Sequence, residues 1–100
     1  DLRLAVTGAN FFYPVMKRGF LPQPSDPIRM SALIGPARTR MILMAGQKIS
    51  ASEAYAFGLV DRVVEPGDLM STARALTEDI LSASPETVAG IAGLCGKSSA

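Results

Sequence analysis

The sequence predicts an α/β protein in which short strands open the chain and a mainly helical half follows. Residues 2–6 alternate along the two-residue period of a strand, and from residue 25 onward helix-start and helix-stop signals recur. The apolar set is aliphatic: 48% of residues are hydrophobic but only 6% are aromatic and none is Trp, which favours helices on a modest sheet over a β-sandwich. With 19% charged residues and a mean hydropathy of +0.25, the chain is expected to build a core. One hundred residues suffice for one small domain, although such a chain buries only about two-thirds of its unfolded surface.

Leu2, Leu4 and Val6 alternate with Arg3 and Ala5, so a half-buried strand is expected at Leu2 to Val6, with Gly8 to Asn10 as a turn. Phe11 to Tyr13 predicts a second short extended piece, which Pro14 stops. Lys17 to Pro24, with one glycine and two prolines, reads as a loop without regular structure. Ser25 then serves as N-cap of a helix whose first turn holds Asp26 and Pro27, an acid suited to the dipole and a proline needing no donor. Met30, Leu33, Ile34, Ala37, Met41 and Met44 recur at helical spacing, with a break at Gly35-Pro36 and an end at Gly46.

Ser50-Ala51-Ser52-Glu53 has capping-box spacing, and Gly58 sits where a left-handed cap ends the resulting short helix. Leu59, Val60, Val63 and Val64 make a β-prone link closed by Pro66-Gly67. Asp68 is expected to cap an amphipathic helix with the stripe Leu69, Ala73, Leu76 and Ile80, running to about Ser84. Pro85 starts a last helix carrying Val88, Ile91, Ala92 and Cys95, and fraying is expected from Gly96. The organisation predicted is residues 1–25 as short strands and a loop, and residues 26–100 as a helical region.

Ten basic residues stand against nine acidic ones and are scattered, so no nucleic-acid footprint is expected. Without a run of eighteen apolar residues or a secretory leader, neither a membrane span nor export is predicted, and a cytoplasmic location is expected. Cys95 cannot pair within the chain and is expected to be a small buried or incidental thiol; with no histidine, no metal site is expected. The same absence removes the commonest general base, so any proton transfer must use a carboxylate.

The order Asp1-Leu2-Arg3-Leu4-Ala5, Phe11, Pro14, Gly19, Pro22, then Leu33-Ile34-Gly35-Pro36-Ala37-Arg38, resembles the second half of the enoyl-CoA hydratase/isomerase (crotonase) superfamily. The later run Ala45 to Ala54, followed by Gly58-Leu59-Val60-Asp61-Arg62-Val63-Val64, is similar in the same way. The likeness extends to about Ser84, and the pairing of the Ile49-Ser50-Ala51-x-Glu53-Ala54 helix start with Gly58 to Val64 is its most specific part. Each of these residues also has an architectural reason to be there, so none of them receives a chemical role.

The resemblance implies a crotonase-like (ClpP/crotonase) fold with this chain as its C-terminal part, residues 1–25 ending the core sheet and carrying the active-site loop; the opening on Asp1 without an initiator Met is expected of the middle of a protein. It implies a lyase or isomerase that acts on an acyl-CoA or enoyl-CoA thioester as substrate, without a separate cofactor, and assembles as a homotrimer or hexamer. Two backbone amides would stabilise an enolate-like oxyanion there. The family places both amides upstream of the Asp-x-Arg-x-Ala strand, so the oxyanion hole is expected to lie outside this chain. One of the two hydratase glutamates that the resemblance implies is likewise expected outside this chain; the other would follow the proline of Phe-x-x-Pro-Glu, which here reads Phe11-Phe12-Tyr13-Pro14-Val15. Val15 cannot accept a proton, which argues against ordinary hydration.

The glycine-rich loop usual after the next proline is replaced by Gln23-Pro24-Ser25-Asp26-Pro27, making Asp26 the candidate acid or base. Phe20, Leu21 and Pro22 are candidates to line an acyl pocket, and Lys17 and Arg18 to approach a CoA phosphate. The alternative expectation is a non-catalytic crotonase-like module for acyl-CoA binding or assembly.

Overall fold

The computed structural model describes residues 2–96. Two small sheets and six helices follow one another as β1 (Leu4–Val6), β2 (Asn10–Phe11), α1 (Val15–Arg18), α2 (Ser25–Ile34), α3 (Pro36–Leu43), β3 (Ile49–Ser50), α4 (Ala51–Phe57), β4 (Arg62–Val64), α5 (Leu69–Ser82) and α6 (Pro85–Leu94). β1 pairs in parallel with β4, Ala5 opposite Val63, and β2 pairs antiparallel with β3, Phe11 opposite Ile49. The parallel pair extends toward the chain start through a reciprocal link. The Arg3 N–H donates to the Asp61 carboxylate at 2.8 Å, and the Asp61 N–H donates to the Arg3 carbonyl at 2.7 Å. The Arg3 guanidinium adds a 2.7 Å bond to the Leu59 carbonyl.

The core joins Ala5, Ile34, Ile42, Ile49, Ala51, Ala54 and Val60, with Met30, Phe57 and Val63 packed against it. The inward residue of β1 is therefore Ala5, while Leu2 is 45% exposed, the reverse of the face that the Leu2, Leu4 and Val6 alternation suggests. The helices crowd one side of the strand and only a small side chain fits there, leaving the bulkier leucines toward an open hollow. The α2–α3 stripe is corrected in the same way. Ile34, Thr39, Ile42 and Leu43 are buried, whereas Ala37 and Met44 face outward, because Gly35 at φ +90° rotates α3 relative to α2. Thr39 loses nothing by burial, since its hydroxyl donates to the Gly35 carbonyl at 2.8 Å.

The stretch Lys17 to Pro24 is not wholly irregular. Residues 15–18 make one helical turn, α1, ended by left-handed Gly19 with its N–H on the Met16 carbonyl. One turn is too short to show any period, so no sequence pattern could announce it. Ser25 is not an N-cap, because Pro24 is already helical and the Asp26 N–H donates to the Gln23 carbonyl instead. Asp68 does occupy the N-cap of α5, but a 3-10 turn at Pro66–Asp68 feeds the helix directly and its carboxylate makes no capping bond.

At α4 the capping box is complete: the Glu53 N–H donates to Ser50 Oγ at 3.1 Å, and the Ser50 N–H donates to the Glu53 carboxylate at 3.0 Å. Gly58 closes α4 at φ +87°, where a Cβ would also come within 3.3 Å of the Leu33 carbonyl. Ser50→Ala is expected to cost about 1 kcal/mol in a urea titration, the usual worth of a cap.

α5 lies along β1 with Leu69, Ala73 and Leu76 half-buried, while Ile80 is exposed. Pro85 begins α6 as expected, capped by Ser84, whose Oγ accepts from the Thr87 N–H. α6 buries no residue, and Cys95 beyond it is exposed rather than buried. Fraying from Gly96 concerns mostly residues 97–100, which, like Asp1, lie outside the described residues. No helix of the described residues is long and apolar enough to cross a membrane.

Candidate functional site

Two open apolar hollows flank the segment between β2 and α2. The larger, about 540 Å³, lies on the uncovered face of β1 and is lined by Leu2, Leu4, Phe11, Phe12, Tyr13 and Met30, among others. The smaller, about 320 Å³, is bounded on one side by Val15, Met16, Phe20, Leu21 and Pro22, and on the other by Pro36, Thr39, Arg40, Leu43 and Met44. Size favours the first, but the second gathers four of the seven residues that the sequence marks out: Val15, Phe20, Leu21 and Pro22. It is taken as the candidate site for that reason.

α1 and the loop behind it create this arrangement. Gly19 reverses the chain after one turn, and the Phe20 N–H donates to the Val15 carbonyl at 3.0 Å, so Phe20 to Pro22 run beside Val15. Val15 is only 7% exposed and faces α3 across the hollow, while Phe20 and Leu21 reach outward at 64% and 94%. Among the described residues that line the hollow, Arg40 alone is ionisable and none is a carboxylate. A surface of this kind suits an apolar chain. It offers nothing that would activate a water molecule.

Asp26 stands apart from these four. Its neighbour Pro27 lines the hollow, but its own carboxylate accepts a 2.8 Å hydrogen bond from the Tyr13 hydroxyl. That bond, followed by desolvation and the nearby carboxylate charge, raises the Tyr13 phenol above its ordinary value of 10.0. Sequence reasoning gave Tyr13 no part in the site, and nothing in the thirteen-residue separation from Asp26 signals that the two meet.

Lys17 and Arg18 occupy the last turn of α1, where cations suit the helix dipole, and both are exposed. Lys48 stands 5.1 Å over the ring of Phe12, and Arg38 stands 4.6 Å over that of Phe57. Among the described residues no group of three potential metal ligands comes together.

A family model for enoyl-CoA hydratase/isomerase matches residues 1–94. The chain belongs to that family. Among curated relatives is a short-chain-enoyl-CoA hydratase of Clostridium acetobutylicum, 36% identical over 88 residues, a match covering 88% of this chain and 34% of the relative. A carnitinyl-CoA dehydratase of Salmonella paratyphi A is 32% identical over 91 residues, covering 91% of this chain and 35% of the relative. Thus the chain spans about a third of the length of these relatives.

Solved structures of the family superpose well. An enoyl-CoA hydratase/isomerase family protein from Hyphomonas neptunium gives a TM-score of 0.81 at 38% identity, over 88% of this chain and 34% of that one. An enoyl-CoA hydratase/isomerase from Pseudoalteromonas atlantica T6c gives 0.86 at 27% identity, over 95% and 38%. The fold is accordingly crotonase-like, mixed α/β and mostly helical in this part.

Proposed function

We propose that the complete protein acts on an acyl-CoA or enoyl-CoA thioester by lyase or isomerase chemistry other than ordinary hydration. Family membership supports the substrate class, as do relatives named as a hydratase and a carnitinyl-CoA dehydratase. The observation that carries the departure from hydration is Val15, 7% exposed in a hollow without a carboxylate at the place where the family pattern has glutamate. Hydration requires one carboxylate to activate water and another to handle the carbon proton, and a valine does neither. In this reading Phe20, Leu21 and Pro22 wall the acyl group, and Asp26 is the acid or base. A homo-oligomeric, cytoplasmic enzyme that binds no separate cofactor completes the proposal.

The test is an assay of the complete protein against a panel of saturated and unsaturated acyl-CoA thioesters. Water addition to crotonyl-CoA is expected to be slower than for a two-glutamate hydratase by a factor of at least about 100, the ordinary worth of one general acid or base. Turnover of at least one other thioester is expected alongside. Full hydratase activity would refute the reading.

One observation favours a second account, a non-catalytic module that binds acyl-CoA. The Asp26 carboxylate is engaged by Tyr13, and among the described residues that line the hollow none is an ionisable proton acceptor. Tight binding of thioesters with no reaction across the whole panel would establish that account instead.

A further inference from the structure

The wall that α3 gives to the smaller hollow is one stripe of the helix. Pro36 lies one turn before Arg40, and Leu43 and Met44 lie one turn after it, so all four share the face turned to the hollow. A guanidinium thus stands among apolar side chains, across the hollow from Phe20, Leu21 and Pro22. Arg40 is exposed at this open wall and its charge is uncompensated: among the described residues it forms no ion pair and lies over no ring, whereas Arg3 meets Asp61 and Arg38 covers Phe57. The other polar lining groups are the hydroxyls of Ser31 and Thr39, and the Thr39 proton is committed to the Gly35 carbonyl. Arg40 is therefore the one lining group, among the described residues, that selects a ligand by charge.

Resting on the reading of that hollow as the acyl pocket, we propose that Arg40 makes it selective for an acyl group ending in a carboxylate, the half-thioester of a dicarboxylic acid. A chain that fills the hollow displaces water from the guanidinium. If the chain ends in alkyl carbon, the cation loses hydrogen bonds and gains none, which opposes binding. If it ends in a carboxylate, the planar fork of the guanidinium takes both oxygens while the methylenes rest on the apolar walls. The same side chain favours one chain end and disfavours the other, so discrimination exceeds what either effect supplies alone. The phosphates of CoA are held away from the acyl group by the length of the pantetheine arm, so a cation among acyl-contacting side chains meets the chain end rather than the carrier.

Isothermal titration calorimetry of the complete protein tests this with matched pairs of thioesters that differ only at the chain end, a carboxylate against an isopropyl group of the same shape. The pairs are succinyl-CoA with 4-methylpentanoyl-CoA, glutaryl-CoA with 5-methylhexanoyl-CoA, and adipoyl-CoA with 6-methylheptanoyl-CoA. At least one carboxylate-ended member is expected to bind about tenfold tighter than its partner. In Arg40→Met, which keeps an apolar stem, that ratio is expected to fall about tenfold, the size of a lost charge-assisted hydrogen bond. Arg40→Lys keeps the charge without the fork and retains part of the preference. Arg40 is exposed, so neither exchange threatens the fold. No preference in the unaltered protein, or ratios that stay the same in Arg40→Met, overturn the proposal. So does an equal loss for both members of every pair, which puts a CoA phosphate on Arg40 instead. Phe20→Ala separates that failure from failure of the pocket. Weaker binding of the isopropyl-ended thioesters leaves the acyl pocket standing, whereas unchanged binding of all of them overturns the pocket and the role of Arg40 together.

Discussion

Asp26→Asn is expected to lower turnover of the preferred acyl-CoA thioester by at least about 100-fold, the lower end of what a positioned acid or base contributes. The expectation follows from proposing Asp26 as the proton-handling carboxylate in place of Val15. Between residues 2 and 52 it is the only acid in the sequence, so no neighbour in that stretch substitutes for it. Asparagine matches its shape and still accepts from the Tyr13 hydroxyl, so the fold should survive the exchange. The structural cost is confined to the interaction of a charge with the first turn of α2, about 0.3 to 1 kcal/mol.

A rate loss of that size with a urea midpoint lowered by no more than this small cost would therefore be chemical in origin. Tyr13→Phe provides the converse control, since it keeps the carboxylate and removes its partner. A rate unaffected by Asp26→Asn would dismiss the acid-base role and leave Asp26 as the partner of the Tyr13 hydroxyl in the first turn of α2.

Ile42→Ala is expected to destabilise the protein by about 2 to 5 kcal/mol. Ile42 is 1% exposed and lies in the cluster with Ala5, Ile34, Ile49, Ala54 and Val60, which joins β1, α2, β3 and α4. Several of those neighbours are alanines with no side-chain reach, so the cavity left behind has little means of closing. Against a total stability of about 5 to 15 kcal/mol for a typical domain, this is a large share. Ile42→Val, which removes one methylene, should cost about 0.5 to 1.5 kcal/mol. Leu81, 79% exposed on α5, should tolerate alanine within about 0.5 kcal/mol. Chemical denaturation of the three variants checks the order, and a cost below about 1 kcal/mol for Ile42→Ala would contradict the core as described.

The proximity of some candidate residues was legible before the fold. Val15, Phe20, Leu21 and Pro22 come together because they lie within eight residues, close enough for one turn and one glycine to place them side by side. Asp26 lies only four residues beyond Pro22, yet its carboxylate turns away to Tyr13. That outcome depends on how α2 docks on the core, which no local pattern encodes.

What the residues determined by themselves is the punctuation of the helices. The capping box at Ser50 and Glu53, the left-handed cap at Gly58, the Gly35-Pro36 break and the start at Pro85 all occur where they were expected. Each rests on interactions within three or four residues, where backbone geometry leaves no choice of partner. Tertiary structure alone decided the rest. It set the parallel pairing of β1 with β4 across nearly sixty residues, the two-residue strand at Ile49–Ser50, the burial of Ala5 rather than its leucine neighbours, and the Tyr13–Asp26 bond. A strand has no partner within itself, and the face it buries is whichever one the helices cover. Those features therefore exist only once distant segments have packed.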